Sequence, residues 1–197
     1  MPDVSTQILD TANRLFAERG YDATSLQVIA DEVGIRKPSL LYHFPSKDEL
    51  RLAVLGRLMQ HWNEVLPRLL EVATTGEDRF ESLVGEVIGF FREDPMRARL
   101  LYREILDRPE ELGEQLREFL SPWISLLATY IRSGQKTGLL RQDVDPEAFI
   151  VATIQMIVGG LATGSVFGGL VAEEDAPNRI ITEIARMARA SLFTHPE

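Results

Sequence analysis

Helix punctuation, repeated from one end of the chain to the other, is what most limits the folds open to this sequence. No stretch sustains the apolar–polar alternation of a half-buried strand, whereas apolar residues at helical spacing recur between stop and start signals. Ile8, Ala12, Leu15 and Phe16 share one face of a helix expected over Ser5–Arg19, and Gly20 ends it. Thr24 or Ser25 can cap a second helix, with Leu26, Ile29, Ala30 and Val33 turned inward and Gly34 as its stop. A short third helix runs from about Pro38 to His43, proline suiting its first turn. Ser46-Lys-Asp-Glu49 reads as a capping box that opens a long helix to about Thr74, bent near Pro67. Further helices are expected over about Glu77–Arg92, Pro95–Asp107 and Pro109–Thr137, the last kinked or broken at Pro122. Asp145-Pro146 opens another, and Pro177 a final one ending near Phe193. The expectation is an all-α chain of about nine helices with no internal repeat.

Composition removes several classes of chemistry. The 197 residues include no cysteine, which excludes disulfides, thiolate zinc sites and cysteine nucleophiles. The histidines (His43, His61 and His195) are scattered without metal-ligand spacing. No glycine-rich phosphate loop follows a strand, so neither an enzyme nor a bound cofactor or metal is expected. The opening MPDVSTQILD lacks the basic start and apolar run of a secretory signal, and the expected location is cytoplasmic. Phe149–Ala172 carries no charge and is long enough to span a bilayer. It also holds five glycines, and acids flank it on both sides (Asp143, Asp145 and Glu147; Glu173, Glu174 and Asp175). That is the pattern of a buried helix, with no membrane partner expected.

The tract TSLQVIADEVGIRKPSLLYHFPSKDEL (Thr24–Leu50) carries the function. Two helices meeting at Gly34, with Ala30 small enough to let them cross closely and Ile35 and Leu40 plugging a shared core, have the form of a helix-turn-helix. An ordinary helical hairpin can show each feature singly. The whole tract resembles the TetR (tetracycline-repressor-like) family, through Thr24, Ile29-Ala30, Gly34-Ile35, Tyr42-His43-Phe44 and Ser46-Lys47…Leu50. The preceding Ala12…Leu15-Phe16-Ala17…Gly20-Tyr21 fits the family's first helix. Family members often carry two aromatics in a row at the end of the recognition helix; here the first of those positions is Leu41.

The resemblance implies a DNA-binding role for Thr24, Ser25, Arg36, Lys37, Pro38, Ser39, Tyr42, His43 and Lys47. Arg36, Lys37 and Ser39 stand where side chains reach base edges in the major groove. Tyr42 and His43 offer donors to phosphate oxygens, with hydrogen-bonded packing the alternative for His43. Thr24 and Lys47 lie at helix N-termini that favour phosphate. Charge constrains all of this. The net is −9 for the chain. Residues 1–51 hold six bases against eight acids, a net of −2, while Gly34–Arg51 holds four bases against two acids, a net of +2. The grip on DNA is therefore expected to be local and to need two copies.

The resemblance also divides the chain into a helix-turn-helix domain, 1–50, and a ligand-sensing and dimerising domain, 51–197. Candidate lining residues for a small-molecule effector are Trp62, Phe90, Phe91, Tyr102, Trp123, Tyr130 and Met156, any of which could instead be core. Gly160, Gly164 and Gly168 form one stripe on the uncharged helix, and three glycines at about 1 kcal/mol each need a close helix neighbour in return. With Ile180, Ile184, Met187, Ala188 and Ser191 they are expected at the interface of a homodimer; packing within the chain, or a helix break at Gly159-Gly160, are the alternatives. The function expected is a repressor that binds a pseudo-palindromic double-stranded DNA operator and is released by a small molecule. A helical small-molecule-binding or structural dimer without specific DNA binding is the alternative, with an enzyme behind it.

Overall fold

A computed structural model of the chain describes residues 3–72, 76–171 and 175–194, and among them the regular structure is helical. Helix α1 (Val4–Arg19) starts on the Asp3 carboxylate, which accepts from the Thr6 amide at 2.7 Å. It buries Ile8, Ala12, Leu15 and Phe16, the expected face, together with Asn13 and Ala17. Helix α2 (Leu26–Val33) is capped by Ser25, whose hydroxyl accepts from the Val28 amide at 3.2 Å. It ends at Gly34, which is left-handed at φ 80°, ψ 27°. There the Ile35 amide reaches back to the Ala30 carbonyl at 2.9 Å and the Gly34 amide to that of Asp31 at 3.2 Å, a Schellman closure that favours glycine. The closure turns the chain into α3 (Lys37–His43).

Helix α4 (Lys47–Val72) opens on Ser46, whose hydroxyl accepts from the Glu49 amide at 3.0 Å. The division expected after residue 50 falls inside this helix. Its first turns put Leu50, Val54 and Leu58 into the same core as Ile8, Phe16, Ile29 and Leu40. Then follow α5 (Gly76–Glu93), α6 (Pro95–Asp107), α7 (Pro109–Lys136), α8 (Pro146–Phe167), a short 3-10 turn (Gly168–Leu170) and α9 (Ala176–Leu192). Pro122 lies inside α7 without breaking it. Asp94 and Asp145 cap α6 and α8 through the amides of Met96 and Ala148, each at 3.0 Å, ahead of a first-turn proline. Helix α8 touches α5, α6, α7 and α9, and its Val158 reaches the core shared with the N-terminal helices.

The glycine stripe takes the alternative of packing within the chain. Gly160, Gly164 and Gly168 face α9 of the same chain. A Cβ on Gly160 would stand 2.9 Å from Ile181 Cδ1 and 3.0 Å from Ile184 Cδ1; at Gly164 and Gly168 the neighbours are Pro177 and Ala176 at 3.5–3.6 Å. Ala188 is buried as well, and Ile180 and Ile184 are half-buried against this helix pair. The close approach that repays the glycines is therefore intrachain, and α8 runs unbroken through Gly159-Gly160. Of the residues expected at the subunit interface, Met187 and Ser191 remain on the outer side. The exposed side of α8 and its following turn is apolar all the same: Val166, Phe167 and Leu170 are 73%, 56% and 81% exposed.

Candidate DNA-reading surface and effector cavity

Helix α3 hides one side chain and displays the rest. Leu40 is fully buried, whereas Arg36, Lys37, Pro38, Ser39, Tyr42 and His43 are exposed. Among the described residues neither Arg36 nor Lys37 is paired with a carboxylate, although neighbouring cations are: Arg14 with Glu18 and Glu32, Arg57 with Asp10. These two stand exposed together at the first turn of the reading helix. The His43 ring stands edge-on to Tyr42 at 5.5 Å, in solvent and out of the core. Leu41 is half-buried beside the anchor.

Thr24 and Arg51 are placed otherwise than expected. Thr24 is fully buried; its hydroxyl donates to the Gly20 carbonyl at 2.8 Å, with the Leu15 carbonyl at 3.3 Å, and its amide to that of Tyr21. This ties the turn to α1, leaves no side-chain group for a phosphate, and makes Ser25 the cap. Arg51, counted above among the cations near the reading helix, points the other way. Its Nε donates to Glu104 at 2.8 Å and an amino group to Glu111 at 2.9 Å, clamping α4 to α6 and α7.

Beside that clamp lies a cluster the sequence did not single out. The Tyr21 hydroxyl donates to Asp48 at 2.6 Å, and the ring carries Lys47 Nζ at 4.1 Å and the Arg108 guanidinium at 4.4 Å. Burial, reinforced by Asp48, pushes the Tyr21 phenol up to about 12, and burial holds the Lys47 ammonium below its ordinary range. Lys47 thus sits at the N-terminus of α4, as expected, but with its charge resting on an aromatic face. The one hint in the sequence was Tyr21 directly after the glycine that ends α1.

The second site is a cavity of about 400 Å³ enclosed by α4 to α9. Four of the seven expected residues line it: Trp62, Phe91, Trp123 and Tyr130. Phe90, Tyr102 and Met156 do not. Phe90 is stacked on His61 at 4.3 Å and covered by the Arg97 guanidinium at 4.4 Å. The Tyr102 hydroxyl lies where a Cβ on Gly159 would be 2.6 Å away, and Met156 faces outward, 39% exposed. The walls are otherwise mostly aliphatic and aromatic, with Met59 and Leu66 from α4, Leu101 from α6, and Ile157 and Val158 from α8, and the polar Arg79, Ser133, Thr137 and Thr153 among them.

A small helical head that presents two unneutralised cations in one exposed turn, riding on a body hollowed by an apolar cavity, defines the class: a helix-turn-helix transcriptional regulator with a ligand-binding domain. The chain belongs to the TetR family. Its residues 8–54 match the bacterial regulatory proteins of the tetR family, and 77–188 the tetracyclin repressor-like C-terminal domain. It is 35% identical over 111 residues to the transcriptional activator FasR of Mycolicibacterium smegmatis, covering 56% of this chain and 51% of that one. It is 30% identical over 150 residues to the transcriptional repressor KstR2 of Rhodococcus jostii, covering 72% and 70%. The chain thus spans about half the length of the first of these relatives. In fold it resembles the ketosteroid transcriptional regulator KstR2 of Mycobacterium tuberculosis, at a TM-score of 0.77 and 16% identity over 99% of this chain and 97% of that one. The proteins it matches are transcriptional regulators, not enzymes.

Proposed function

We propose that the protein is a homodimeric repressor that holds a pseudo-palindromic operator with two copies of α3 and lets go when a small molecule fills the cavity. The observation that carries this reading is the pair Arg36 and Lys37, exposed and without carboxylate partners among the described residues, at the start of a helix anchored by Leu40. Residues 1–50 do the reading and 51–197 the sensing and dimerising, with cytoplasmic DNA as the target. Arg36 suits two-pronged contact with a guanine edge. Lys37, Ser39, Tyr42 and His43 supply contacts around it, and Ser25 and Lys47 contacts to backbone phosphates. Thr24 has no part in the contact.

A head that holds five bases against eight acids over residues 1–50, a net of −3, binds poorly alone. Two heads about 34 Å apart engage successive major grooves together. The exposed Val166, Phe167 and Leu170, with Met156 and Met187, form an apolar face suited to a second copy. Helix α4 links the two sites, since Leu50 and Val54 pack in the head core while Met59, Trp62 and Leu66 line the cavity. An effector that fits only one tilt of α4 therefore shifts the separation of the heads. The relatives include both an activator and a repressor; release by ligand is the reading that this linkage favours.

Selection of bound sequences from a random DNA pool tests the proposal. It should yield an inverted repeat, and Arg36→Ala should lose about 1–3 kcal/mol at one base position of each half-site. An unstructured pool, or an Arg36→Ala protein with unchanged base preference, would overturn it.

A further inference from the structure

The cavity proposed above as the effector site has walls so largely apolar that its few polar atoms specify what fills it. Thr153, on α8, is 7% exposed, lines the cavity, and its Oγ1 has no hydrogen-bond partner. A threonine inside a helix ordinarily spends its hydroxyl on the carbonyl four residues back. Two others in this protein do so: Thr129 donates to Ser125 at 2.9 Å and Thr163 to Gly159 at 2.6 Å. Thr153 does not, so its donor stays available inside the chamber.

Arg79, at the start of α5, is the one charged side chain of the lining among the described residues. Its Nε is buried without an acceptor, and its guanidinium lies over the Tyr130 ring at 4.7 Å. Among the described residues no aspartate or glutamate lines the cavity, and Glu81 is engaged by Arg189 at 3.5 Å. A cation held against an apolar chamber with no counter-charge is a standing electrostatic deficit, as is a buried donor with no acceptor. A neutral hydrocarbon leaves both deficits in place. A ligand cation makes the first one worse. An oxyanion relieves it, because a carboxylate accepts charge-assisted hydrogen bonds from guanidinium and further ones from a hydroxyl.

We infer that the effector is a long apolar carboxylic acid. Its chain lies among Trp62, Phe91, Leu101 and Trp123, its carboxylate is taken by Arg79, and Thr153 donates to a ligand oxygen. This inference rests on the reading of the cavity as the effector site, and its test separates the two. Both tryptophans of the chain, Trp62 and Trp123, line the cavity, so intrinsic fluorescence reports its occupancy directly.

The full-length protein is titrated with dodecanoate, dodecanol and dodecyltrimethylammonium below their micelle concentrations, while operator release is followed in parallel by anisotropy of labelled DNA. Dodecanoate should bind at least about tenfold more tightly than the alcohol, and the ammonium most weakly. Arg79→Gln should bring dodecanoate affinity down to that of dodecanol in the same variant; Arg79→Lys should keep the preference. Thr153→Val should weaken dodecanoate binding by about fivefold. Equal affinities for the three heads, a preference that survives Arg79→Gln, or no saturable change with any acid from octanoate to hexadecanoate would each overturn the inference. If dodecanol binds as well as the acid and releases DNA, the head assignment fails and the effector-site reading stands. If the acid binds selectively through Arg79 but the DNA stays bound, the head assignment stands and the effector-site reading fails.

Discussion

Helices α3 and α8 are opposites in what they hide. The reading helix buries one residue of seven and keeps its polar groups free for a partner. Helix α8 carries no charge beyond its first turn, buries Ile150, Thr153, Ile157 and Val158 on one side, and shows apolar side chains on the other. In α3 a single anchor suffices because function needs only a rigid platform. In α8 an apolar surface serves the α9 of its own chain through the glycine stripe, and its remaining face is left exposed. A helix polar around one anchor declares its orientation in its sequence; a helix apolar all round does not.

The strongest way to break this contrast is to remove the anchor. Leu40→Ala deletes the only fully buried side chain of α3, and the cost should be about 2–5 kcal/mol by chemical denaturation, with loss of operator binding. A cost below about 1 kcal/mol would mean that α3 is held by something other than its core contact. Next comes the stripe. Gly160→Leu drives a side chain into Ile181 and Ile184 and should destabilise the chain by about 1–3 kcal/mol, whereas Gly164→Ala meets only ordinary contact and should be tolerated. The decisive reading is denaturation with light scattering across protein concentrations. Gly160→Leu should lower stability without first yielding stable monomers, and a well-folded monomeric Gly160→Leu would return the stripe to the subunit interface. A smaller effect is expected from Ser25→Ala, about 1 kcal/mol through loss of the bond to the Val28 amide. Ser25→Asp should retain the cap, and with it the stability that the alanine variant loses.

The same contrast marks how far the sequence could be read. The head was legible because its signals are local: the serine three residues before its amide partner, the glycine that closes α2, the proline in the first turn of α3. Whether Thr24 or Ser25 caps α2 was not decidable locally, since Thr24 is claimed by carbonyls of the preceding helix. The place of Arg51 was illegible for a stronger form of the same reason, because its partners Glu104 and Glu111 lie 53 and 60 residues further on. Around the cavity, Phe90 and Phe91 are adjacent in sequence and both buried, yet point about 100° apart on their helix, and only contacts with His61 and Arg97 reveal which one is turned from the cavity. In α8, apolar residues on every side carried no information about which face meets which neighbour.

The smallest effect lies at the joint between head and body, where Tyr21 is packed against Lys47 and Arg108 and hydrogen-bonded to Asp48. Burial, and then Asp48, raise its phenol to about 12, above the value near 10 of an exposed tyrosine. A raised acid holds its proton more tightly in the folded chain than in the unfolded one. The stabilisation it contributes is therefore complete below about pH 10 and lost as the pH climbs through about 12. Ultraviolet titration after a rapid pH jump, read before alkaline unfolding, should show one phenol with a midpoint of about 12 that is absent from Tyr21→Phe. Asp48→Asn should bring that midpoint down without returning it to 10, because burial is the larger cause. Ionisation of Tyr21 near pH 10 in the unaltered protein would mean that the joint is open to water, and that the head is coupled to the body through the Arg51 clamp and the shared core alone.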